Sequence, residues 1–65
     1  MMTASELFEI AQEHRRNKRF GDAINMYRAA MEAEDVTEQL KARCAASIEL
    51  IQEINGFVNV DLLNP

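Results

Sequence analysis

Two side chains in this sequence could do nucleophilic or acid–base chemistry near neutral pH, His14 and Cys44. Catalysis would need a nucleophile, a base within hydrogen-bond reach and a group that orients the base. No such set can be assembled. Cys44 has no C-x-x-C partner and no obvious base, and His14 falls among apolar residues. Cys44 therefore reads as a small hydrophobe and His14 as a substitute for an aromatic. One His and one Cys also make a poor ligand set for a metal, and the sequence has no Gly-rich phosphate loop. We expect no enzyme and no cofactor.

The densest charge is the run His14-Arg15-Arg16-Asn17-Lys18-Arg19. Such runs can bind nucleic acid or carry targeting signals. Glu6, Glu9 and Glu13 precede it, and seven basic against eleven acidic residues leave the chain at −4. That balance favours a solvated helix end whose cations complement the helix dipole, with no nucleic acid expected. A small regulatory protein associated with nucleic acid through this basic turn is the alternative.

These residues must be positioned by helices. Leu7, Ile10, Ala11 and His14 recur at i, i+3, i+4, i+7, the signature of a first amphipathic helix. Thr3 is its candidate N-cap, with Glu6 three residues on to complete a capping box. Gly21 follows the basic run as a natural place for the backbone to turn. Asp22 then opens a second helix to about Glu34, whose inward stripe is Ala23, Ile24, Tyr27, Ala30 and Met31. Met26 and Ala33 point elsewhere. The small residues Ala23 and Ala30 permit close approach of the partner helix.

Asp35-Val36-Thr37 is the second break, and Thr37 is the N-cap of a third helix from Glu38 to about Ile54. Leu40 stands where a capping box would need Glu or Gln, so Thr37 caps without a reciprocal partner. Leu40, Cys44, Ile48 and Ile51 form one stripe, and Leu50 and Ile54 widen it to roughly 160°. One helical hairpin cannot cover that arc. Asn55-Gly56 supplies a C-cap, and Phe57 to Pro65 is unusually apolar for a terminus. It reads as an extended segment packed on something.

At 65 residues the chain is one small domain of marginal stability, with 48% hydrophobic residues, too many for a disordered chain. Lacking disulfides and metal, it has association as its remaining means of stabilisation. No apolar run is long enough to span a bilayer and Met1-Met2-Thr3 opens no signal peptide, so we expect no membrane partner. A lone cysteine fits a cytoplasmic location.

The opening hairpin resembles a tetratricopeptide repeat, a unit of about 34 residues with the pattern W-x2-L-G-x2-Y…A-x3-F…P. Leu7 stands at the large first position, Ile10 and Ala11 at the Leu-Gly pair, and His14 at the aromatic place. Ala23, Tyr27 and Ala30 match the second helix with no gap, and Phe20-Gly21-Asp22 is similar to the family's turn. The Trp and Tyr sites are departures, and Asp35 replaces the closing Pro. The resemblance implies an all-α fold over residues 1–65: a hairpin over 3–35, a capping helix over 37–55 and an apolar tail over 56–65. About three such repeats are needed for independent stability, and this chain holds one.

Ser5, Phe8, Gln12 and Arg15, spaced 3-4-3, share a helical face that is not the Leu7 face. In the family that face lines a concave groove binding peptides. The resemblance then implies that Phe8 anchors an apolar side chain, Gln12 bonds a backbone and Arg15 with Arg16 meets a carboxylate. The competing reading packs Phe8 against the third helix or the tail. Function is expected in protein–protein interaction or assembly, with a protein, a peptide or a second copy as partner. Leu50, Ile54, Phe57, Val60, Leu62 and Leu63 are candidates for self-association or tail packing. Nine extended residues reach ~30 Å, enough to cross a first helix of ~20 Å and fill the Phe8 groove with Phe57, Val60 and Leu62 or Leu63.

Overall fold

The computed structural model describes residues 1–54 and is all-α over them, in three helices: α1 (Ala4–Arg16), α2 (Phe20–Glu32) and α3 (Glu38–Ile54). The expected cap at Asn55-Gly56 and the tail residues Phe57, Val60, Leu62 and Leu63 lie outside the described residues, as does the side chain of Ile54. Among the described residues no helix is long and apolar enough to cross a membrane.

Helices α1 and α3 begin where side chains satisfy free backbone N–H groups. Thr3 and Glu6 form the expected capping box: Thr3 Oγ1 accepts from the Glu6 N–H at 3.1 Å, and Glu6 Oε1 accepts from the Thr3 N–H at 2.8 Å. A third acceptor comes from far along the chain, since Asp35 Oδ1 takes the Ala4 N–H at 2.9 Å. Where the repeat pattern has its closing Pro, the carboxylate of Asp35 thus ties the start of α1 to the α2–α3 connection. Thr37 caps α3, its Oγ1 accepting from the Leu40 N–H at 3.1 Å. No side chain caps α2, which follows Arg19, but Asp22 in its first turn complements the dipole.

The turn between α1 and α2 is not made at Gly21, which lies inside α2. Lys18 makes it, with φ of 63°. The Arg19 N–H donates to His14 O at 2.8 Å and the Lys18 N–H to Arg15 O at 3.0 Å, the two bonds of a Schellman closure. That closure needs one left-handed residue just past Asn17, and Lys18 occupies the position. Gly21 comes three residues too late to serve.

The core is built on α2. Ala23, Ile24, Tyr27 and Ala30 are all fully removed from water, as their spacing predicts. Met31, the fifth residue of the expected stripe, is half-buried against them, and so is Met26, which does not point away as its place on the helix suggested. From α3 come Cys44 and Ile51, with Ser47 beside them and Leu40 and Ile48 half-buried at the margin. Leu50 is 41% exposed.

Helix α1 turns a different side inward from the one its periodicity indicates. Ala4, Phe8 and Ala11 are buried, while Leu7, Ile10 and His14 are half-buried. The buried centre is rotated roughly 75° toward Phe8, at 100° per residue. The cause is the third helix. A lone hairpin would cover Phe8 only where its ring meets Tyr27, whereas Arg43 of α3 lies over the ring as well.

Candidate functional site

The residues singled out as a partner-binding face, Ser5, Phe8, Gln12, Arg15 and Arg16, do not form an open groove. Phe8 is only 6% exposed. Its ring meets the Tyr27 ring in a tilted arrangement, centroids 5.7 Å apart and planes at 60°. Over the other part of the ring lies the Arg43 guanidinium of α3, 4.8 Å from the centroid. Phe8 is therefore a core residue shared by all three helices. The reading that packs it against the third helix describes its place.

Gln12, one turn further along α1, is half-buried. Its Oε1 accepts the hydrogen bond of the Tyr27 hydroxyl. A phenol in a core needs such an acceptor, because its O–H cannot be left dry without cost. The bond occupies the oxygen of Gln12 and leaves the two Nε2 hydrogens with no acceptor among the described residues. Arg15 is half-buried, and Arg16 is exposed and ion-paired to Glu13 at 2.6 Å. The hydrogen bond from Arg16, with a second from Asn17, holds the Glu13 carboxyl below the usual glutamate range. One cation of the basic turn is thereby matched within its own helix.

Ser5 is exposed and edges an open hollow of about 210 Å³ between the N-terminal ends of α1 and α3. Asp35, Thr37, Gln39, Leu40 and Arg43 complete its wall. Arg43 thus joins two features, closing the hollow with its side and covering Phe8 with its guanidinium. Sequence reasoning did not single it out. Its signal was heptad spacing: Leu50 stands seven residues on, so the two share a face of α3. Arg43 and Leu50 from α3, with Ser5, Gln12 and Arg15 from α1, make one composite face with a buried aromatic floor.

The two residues with chemistry of their own are housed as packing groups. Cys44 is fully buried, and burial pushes its thiol above the ordinary value, with Arg43 opposing in part. A thiol so placed is a weak nucleophile. His14 is half-buried, and its Nδ1 is out of contact with water and without a hydrogen-bond partner among the described residues. Among those residues no three His, Cys, Asp or Glu side chains converge as a metal site would require.

Comparison with known proteins adds no further assignment. No family model matches the chain, and neither a curated protein nor a solved structure was matched to it. The geometry alone bears on function.

Proposed function

We propose that the chain is a protein–protein interaction or assembly module of tetratricopeptide type, acting through the composite face of α1 and α3. The order of the elements supports the family reading: a tight hairpin whose fully buried Ala11, Ala23, Tyr27 and Ala30 hold the small and large positions of the pattern, then a third helix. The reducing conditions of a cytoplasm suit its single, buried thiol.

The observation that carries the reading is Arg43 over Phe8. This guanidinium lies over the ring, at the edge of an open hollow, and among the described residues it has no ion-pair partner. A preorganised cation costs little side-chain entropy to use. With Arg15 on the same face it would meet a carboxylate, while the Nε2 hydrogens of Gln12 bond a backbone carbonyl and Leu50 covers an apolar side chain. The partner class is an acidic protein segment, or the acidic surface of a second copy.

Titration of the isotopically labelled full chain with a short acidic peptide, followed by NMR, tests this. The Arg15, Arg43 and Gln12 side-chain signals should shift saturably, and R15A/R43A should weaken binding roughly tenfold, about 1.4 kcal/mol. Shifts confined to the turn Asn17–Arg19, or a response only to a single-stranded oligonucleotide, would overturn the reading.

A further inference from the structure

A second hollow, of about 310 Å³, lies on the opposite side of α3, along its seam with α2. Its floor is apolar, with Met31 from α2 and Ala45 and Ile48 from α3. Met31 and Ile48 are half-buried at the border of the core, and Ala45 is exposed. Arg28 stands on the α2 bank and Glu49 on the α3 bank. We infer that this seam is a self-complementary interface whose occupant is the same seam of a second copy of the chain.

The placement of the two charges is the main support. The short link 33–37 joins the end of α2 to the start of α3, so the two helices pack as antiparallel neighbours. Counted away from that link, Met31 and Ala45 come first on their two banks. Arg28 and Glu49 follow about one turn later, and so stand at similar heights across the apolar floor. Among the described residues neither is in an ion pair.

A two-fold axis laid along the seam exchanges the banks and sets α2 of one copy over α3 of the other. Arg28 of each copy then meets Glu49 of its partner, at two equivalent contacts. A rim of one sign would be repelled by its own image under this axis, whereas a rim of both signs is attracted to it. Between the contacts Met31, long and adaptable, enters the space above the small side chain of Ala45 in the other copy. The product is four helices, each antiparallel to its neighbours, around one apolar strip.

The face is small. Two helices about 20 Å long and together about 20 Å wide offer roughly 400 Å² per copy, half the ~800 Å² per partner of a standard interface. The dimer is accordingly weak, with a dissociation constant on the order of 0.1 mM. It uses nothing of the α1–α3 face, and an empty peptide titration there would leave it standing.

Sedimentation equilibrium of the full chain, from about 10 µM to about 1 mM, should show monomer and dimer in exchange. R28E and E49R should each weaken dimerisation roughly tenfold, since each sets like charges face to face at both contacts. Mixed in equal amounts, the two variants should associate with each other about as tightly as unsubstituted chains do. Pairing of Arg28 with Glu49 inside one chain would give no such rescue. Circular dichroism checks that both variants keep their helices. In the unsubstituted protein, nuclear Overhauser spectroscopy on a mixture of differently labelled chains should show cross-peaks from Met31 Cε to Ala45 Cβ between molecules. A chain still monomeric at about 1 mM would overturn the inference. So would folded variants that fail to rescue each other, the absence of those cross-peaks, or a dimer dissolved by R15A/R43A and indifferent to R28E.

Discussion

Between α1 and α2 the contact is made by side chains wholly out of water: Ala11 against Ala23, Ile24, Tyr27 and Ala30. Along α3, by contrast, Cys44 and Ile51 alone reach that state among the described side chains, while Ser47 is buried less completely, Leu40 and Ile48 stay half-buried and Leu50 lies open. Small residues let the first two helices approach closely, and one Tyr and one Ile fill what remains. The third helix brings larger apolar side chains than its partners can cover. A hairpin finished on its inner side thus carries a helix that is unfinished on two, and the surfaces offered for binding are the unfinished ones.

That contrast can be broken most directly by truncating one isoleucine on each side of it. I24A removes a fully buried side chain and should cost about 3 kcal/mol, enough to unfold much of so small a domain. I48A, at the half-buried seam, should cost about 1 kcal/mol and lower the melting temperature by only several degrees. Thermal unfolding followed by circular dichroism reads both. Equal losses would mean that the α2–α3 seam is as complete as the hairpin.

Removing the tie at Asp35 comes next. D35A frees the Ala4 N–H and should cost about 1 kcal/mol in urea unfolding, whereas D35N should retain most of the stability. If D35A is silent, the start of α1 is held by Thr3 and Glu6 alone.

K18G should act in the opposite direction and by less. Lysine at φ of 63° is strained, and glycine there is not, so the variant should gain roughly 0.5–1 kcal/mol. Loss of stability would show that the Lys18 side chain does something the strain conceals.

The smallest effect belongs to Glu13, on the solvent side of α1. Its carboxyl is held below the ordinary range by Arg16 and then Asn17. A lowered folded-state value means a contribution present above the unfolded pKa of about 4.3 and lost as pH falls through the folded one. In a carboxyl-carbon NMR titration the Glu13 midpoint should lie low, and R16A should return it toward normal. An unmoved midpoint would deny the pair any role.

Much of this arrangement was legible in the residues. Thr3, Glu6 and Thr37 announced their caps because capping is local, settled within four residues. The start of α3 followed from its cap, and Ala23, Ile24, Tyr27 and Ala30 followed because α2 is central and buries one stripe against both neighbours, whereas Met31 and Met26 stop at its margin. The inward side of α1 was not legible. Its apolar and small residues cover a wide arc, and which part is buried depends on where α3 lies, a long-range matter. The turn was misplaced because a Gly nearby outweighed the count of residues from the helix end, which requires the left-handed position at Lys18. Arg43 went unnoticed because its role exists only once Phe8 is underneath it.

Burial of Cys44 has a kinetic consequence. The thiol sits in α3 on the side packed into the core, and a reagent can reach it only when that contact opens. Proteins open in parts, and the parts with the least apolar contact open most often. By that rule the part expected to open first is α3, which has fewer fully buried apolar side chains than the hairpin. The rate at which Cys44 is labelled under native conditions would then exceed the rate of global unfolding. The chain thus carries its own clock for how often its third helix lets go.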